Sequence, residues 1–156
     1  MSAGAVPLFR SGGTPGHLAE ISANPRRVLA RKRACEVQVE FTPVGCLVQT
    51  AEGPVHARPG DAIVTGTAGE RWSMSPARFA AVYRPVSPTL AGEPGTYVSL
   101  PNRVIAVPMP GAFEVLLVDG RSRLRGKRGD WLVDYGDGGL GIVSKAIFAT
   151  TYEIIG

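Results

Sequence analysis

The chain has 156 residues, 44% of them hydrophobic, with 20 Gly, 13 Pro and a net charge of +4; that fits one domain or two very small ones, built from short strands and tight turns. Two cysteines, Cys35 and Cys46, are too few for a disulfide framework, and no CxxC or Cys/His spacing suggests zinc. No basic-then-apolar leader opens the sequence and no apolar run nears the roughly 18 residues of a membrane span, so a soluble cytoplasmic protein with no membrane partner is expected.

Residues 1–25 are rich in Gly, Ser, Pro and Ala and read as an irregular N-terminal arm. A first unit, residues 26–86, follows. Val37, Val39 and Phe41 alternate with polar residues, the period of a half-buried strand. Further strands are expected at Cys46–Thr50, Val55–Arg58, Ala62–Thr65 and Glu70–Met74, separated by Gly-containing turns. A short helix ends the unit. Ser75 is its N-cap, Pro76 its first residue, and Met74 and Phe79 form a hydrophobic staple. Phe79 and Tyr83, four apart, share a face. Residues 87–101 read as a Pro/Gly-rich linker. The second unit, residues 102–156, offers strands at Ile105–Val107, Val115–Val118, Arg121–Arg125 and Trp131–Asp134, then a helix with Val143, Ser144, Phe148 and Tyr152 in the same roles.

The two units repeat each other. Residues 60–83 and 129–152 align without a gap at an offset of 69, with nine identities in 24 positions. A fixed period implies a fold made of two similar pieces. The expected fold is mostly β (α+β): two tandem strand-rich, barrel-like units, each ending in a short capped helix, related by a pseudo-two-fold.

The first unit's Pro59-Gly60-Asp61, the glycines and Glu-Arg-Trp of residues 66–72, and the Ser-Pro-x-x-Phe-x-x-x-Tyr of residues 75–83 resemble the PGDYG-motif family of phage and prophage genomes. The likeness is close over 59–83 and loose over 36–58. The second unit resembles it through 129–133 and 147–153, and departs where Asp134–Val143 replaces the Gly-Glu-Arg-Trp segment. Family members are often one unit long, so the resemblance implies a duplicated, mostly β module. It implies no activity.

Few residues suggest chemistry. Asp61 and Asp130 follow Gly at turns and are expected to bind their own turn's backbone. Glu70 and Arg71 read as an exposed hairpin pair. The loop Asp134–Gly139 lacks a calcium loop's third carboxylate and closing Glu. His17 and His56 have no partner at ligand spacing, and no nucleophile–base motif is present. No catalytic residue, metal site or cofactor is assigned.

Charge distribution stands out instead. Residues 26–33 carry Arg26, Arg27, Arg31, Lys32 and Arg33; residues 121–128 carry Arg121, Arg123, Arg125, Lys127 and Arg128; neither window holds an acid. Arg121, Arg123, Arg125 and Lys127 are spaced by two, which on a strand puts them on one face. Such a face suits phosphates, since neutralising each one releases counterions; it also suits an edge strand guarded against mispairing. The function expected is a non-enzymatic binding or adaptor module for phosphate-bearing ligands, nucleic acid or nucleotide, through Arg31, Lys32, Arg33, Arg121, Arg123, Arg125, Lys127 and Arg128. The alternatives are a protein-interaction or phage/host assembly component, self-associating or not, and a small-molecule enzyme.

Overall fold

The computed structural model describes residues 6–11, 24–117, 120–136 and 138–156. The strands are β1 (Leu8–Arg10), β2 (Val28–Lys32), β3 (Glu36–Phe41), β4 (Cys46–Thr50), β5 (Gly53–Ala57), β6 (Ala62–Thr65) and β7 (Arg71–Met74), then β8 (Tyr83–Pro85) after helix α1 (Pro76–Val82). The chain continues through β9 (Gly95–Ser99), β10 (Arg103–Pro108), β11 (Phe113–Leu116), β12 (Arg123–Gly126), β13 (Trp131–Asp134), β14 (Leu140–Val143), helix α2 (Lys145–Thr151) and β15 (Tyr152–Ile154). The protein is mostly β. Among the described residues no helix is long and apolar enough to cross a membrane.

Two compact units result, but they are not consecutive in sequence. One comprises residues 32–102; the other comprises 103–156 together with the N-terminal residues up to 31. The 32–102 unit has a five-stranded sheet, β7-β6-β3-β9-β8, and the hairpin β4-β5. The other has a five-stranded sheet, β14-β13-β10-β2-β15, and a three-stranded one, β1-β11-β12. The expected barrel-like closure is corrected: among the described residues each sheet is an open row with two edges, and closure would need those edges to bond to each other.

The two five-stranded sheets share one register. Val39 lies opposite Val64 and Ala106 opposite Val133, offsets of 67 and 69 along the chain. Val37 lies opposite Tyr97 and Val104 opposite Ala30, so β9 and β2 fill the same place. Each strand that fills it precedes, in sequence, the sheet it does not join. The stretch read as a linker, 87–101, therefore holds an interior strand, which its prolines and glycines concealed. In the hairpins Cys46 lies opposite Ala57 and Phe113 opposite Gly126, so the change of offset falls in the turn between β11 and β12.

Local sequence explains the helices and turns. Ser75 and Ser144 accept hydrogen bonds on their hydroxyls from the backbone N–H of Arg78 and Ile147, at 3.3 and 3.2 Å. Gly60 and Gly129 adopt φ of 88° and 92°, and the next residue's carboxylate closes the turn: Asp61 accepts from Arg58 N–H and Asp130 from Lys127 N–H. One core packs Val37, Val39, Ala62, Val64, Tyr97, Phe79 and Tyr83; the other packs Val104, Ala106, Val133, Ala30, Phe148 and Tyr152. Volume is redistributed between them. Phe79 meets Tyr97 from β9 at 4.9 Å, whereas Phe148 stacks on Trp131 from β13 at 4.0 Å.

Candidate functional site

The alternation of β12 places its cations as expected. Arg123 and Arg125 are exposed while Leu124 and Gly126 are buried, and Arg121 and Lys127 continue the exposed set beyond the strand ends, with Ser122 buried between. Arg128 is exposed at the following turn. The buried side of this sheet is apolar: Phe113, Val115 and Leu124 are each at most 8% exposed. Burying that side anchors the strand and holds the arginines outward.

Tertiary structure adds one cation and one anion that the windows did not contain. β1 runs parallel to β11 with Leu8 opposite Glu114 and Arg10 opposite Leu116, and Leu116 faces Arg123 across β12. Arg10 therefore belongs to the same outer face; with three residues, β1 is too short for an alternation signal to mark it in the sequence. Glu114 lies opposite Arg125 and receives Arg123 at 3.1 Å and Arg125 at 3.3 Å. One half-buried carboxylate thus orders two guanidiniums. Pairs this exposed contribute little stability, about 0–1 kcal/mol each, so Glu114 acts mainly on charge and orientation.

The other basic window is dispersed. Arg26 and Arg27 are exposed and bonded around Asn24. Arg31 is exposed and ion-paired with Glu153 of β15. Lys32, next along β2, points the other way: its Nζ donates to the Tyr83 hydroxyl at 3.1 Å within the 32–102 unit. Arg33 is exposed beyond the strand. The reason is the strand period itself, which sends neighbours to opposite faces.

Several smaller expectations also resolve. Arg71 pairs with Glu40 on β3 at 3.1 Å, and Glu70 instead accepts from Ala68 N–H at 3.0 Å; the expected Glu70–Arg71 pair is thereby corrected, since Glu70 lies in the turn and bonds back to it while Arg71 opens β7. Asp134 is buried and accepts from Gly136 N–H at 2.9 Å. Asp137 of that loop and His17 lie outside the described residues, as does most of the 1–25 arm. Among the described residues no group of three or more His, Cys, Asp or Glu is placed to hold a metal ion.

The family's model matches residues 53–153, from β5 through β15. The chain belongs to the PGDYG protein family. The match runs through both Gly-Asp turns and both Ser-capped helices of this PGDYG protein. No curated protein and no solved structure matches it.

Proposed function

We propose that this PGDYG protein is a binding module for phosphate-bearing ligands, with nucleic-acid backbone as the first partner, and that the outer face of β1-β11-β12 makes the contact. The observation that supports this reading is the gathering of Arg10, Arg123 and Arg125 on one sheet face, the last two paired with Glu114, with Arg121, Lys127 and Arg128 at its margin. Guanidinium groups suit this task, since their planar donors match phosphate oxygens in pairs. A sheet face with no aromatic ring among these residues favours backbone contact over base stacking.

Fluorescence anisotropy with random duplex and single-stranded oligonucleotides tests the proposal. Affinity is expected to fall steeply between about 50 and 200 mM salt, with a log–log slope near −0.9 for each phosphate neutralised in duplex DNA. Replacing Arg121, Arg123 and Arg125 together by Ser is expected to remove about three such contacts from the slope. Glu114→Gln is expected to strengthen binding by releasing two guanidiniums from an internal acceptor. No binding at low salt, or equal affinity for both variants, overturns the proposal.

A second reading, a protein-interaction or assembly role, draws on the hairpin β4-β5, where Leu47 is 51% exposed and nearby Val44 65% exposed. Light scattering of the protein and of a Val44→Ser/Leu47→Ser variant tests it: a defined oligomer lost in the variant supports this reading, and a monomer in both counts against self-association. The shared registers also support a tandem duplication in which the leading strands are exchanged, each repeat's sheet taking the strand that precedes the other.

A further inference from the structure

Lys32 differs from the other lysines. The chain has three, at 32, 127 and 145. Lys127 and Lys145 are exposed; Lys32 is half-buried. Its amine bonds to the Tyr83 hydroxyl and lies 5.4 Å from the centre of the Tyr83 ring and 5.5 Å from that of Trp72. Tyr83 is buried and stacked on Phe79, and Trp72 packs against the same core. The amine thus stands at the rim of an aromatic cluster built from β7, α1 and β8.

Its electrostatic surroundings are mixed. Burial holds its pKa below the ordinary 10.5 and is the largest influence. Cys35 and Glu70 favour the ammonium, and Arg78 on α1 disfavours it. No ion pair among the described residues involves Lys32. A desolvated lysine amine beside a hydroxyl is a nucleophile for carbonyl carbon.

We propose that Lys32 is a carbonyl-reactive amine that condenses with a small aldehyde or ketone lying against Trp72. The Nζ lone pair bonds to the carbonyl carbon, and a proton passes from nitrogen to oxygen to give a carbinolamine. The C–O bond then breaks as the Tyr83 hydroxyl protonates the leaving oxygen. Nitrogen's remaining proton restores the tyrosine, leaving an imine and one water. No oxidant or cofactor enters this balance.

Reductive labelling of the full-length protein tests the proposal. The protein is incubated near neutral pH with benzaldehyde and cyanoborohydride, and peptide mass spectrometry reads Lys32, Lys127, Lys145 and the N-terminal amine separately. A lowered amine pKa raises the free-base fraction, so Lys32 is expected to label several-fold faster than Lys127 and Lys145. The advantage is expected to vanish in urea. Tyr83→Phe, which keeps the ring, is expected to slow Lys32 several-fold while Lys127 and Lys145 are unchanged. Labelling of Lys32 no faster than of the two exposed lysines in the native protein overturns the proposal, whether or not the Tyr83 variant folds. Unaltered labelling in a folded Tyr83→Phe variant overturns the part given to the phenol.

Discussion

The hairpins β4-β5 and β11-β12 occupy the same place in their units and present different surfaces. Where β11-β12 carries Glu114, Leu116, Arg123 and Arg125 outward, β4-β5 carries Leu47, Gln49, Pro54 and His56. β1 covers the edge of β11, whereas among the described residues β4 pairs with β5 alone. At the matching cross-strand pair, buried Phe113 packs over Gly126 in one hairpin, whereas Cys46, which is exposed, lies opposite Ala57 in the other. Scaffold positions are kept or compensated between the units, and outward positions diverge.

The comparison can be broken first in the cores. Phe79→Ala and Phe148→Ala are each expected to cost about 3–5 kcal/mol in denaturant unfolding, because each ring joins two or more aromatic neighbours. A small cost at only one of them would mean the two helices are not equivalent anchors. The hairpins give a smaller, opposed pair. A Cβ at Gly126 would overlap the Phe113 ring, so Gly126→Ala is expected to cost about 1–3 kcal/mol. The reverse change, Ala57→Gly, is expected to cost about 1 kcal/mol by added chain freedom. Thermal melts of both variants decide whether the exchange of volumes is real.

A pH comparison sharpens the asymmetry of Lys32, whose counterpart on β9 is Ser99. Burial lowers the folded-state pKa of Lys32 below 10.5, so the folded protein bears the cost of its ammonium at neutral pH. Between the lowered value and 10.5 the unfolded chain holds more protons, and stability rises with pH. Lys32→Met is expected to be more stable than the parent near neutral pH, by a margin that shrinks toward 10.5. Urea unfolding across that range measures it; a margin independent of pH would exclude the linkage. The smallest effects belong to the caps. Ser75→Ala and Ser144→Ala are each expected to cost about 1 kcal/mol, read as a similar fall in melting temperature.

Much of the scaffold was legible in the residues. The Gly-Asp turns, the Ser caps, the alternation of Val37 and Val39 and the outward set on β12 follow from local rules, because turn chemistry and strand period act over a few residues. β9 was not legible: Pro88, Gly92, Pro94 and Gly95 surround it, and its place between β3 and β8 depends on partners distant in sequence. The pairing of Glu114 with Arg123 and Arg125 was missed for a related reason, since a carboxylate outside the basic window meets it only through the hairpin.

The sequence by itself determined both helices and many of the strands, the repeated turns and caps, the family and the one-sided row of cations, since each is written in neighbouring residues. Only the tertiary structure decided which strand completes which sheet, that Arg10 shares a sheet face with Arg123 and Arg125, and that Arg31 and Lys32 part company. Strand pairing is chosen by hydrogen-bond partners and buried faces far along the chain. A charge's surroundings are likewise set by what folds against it.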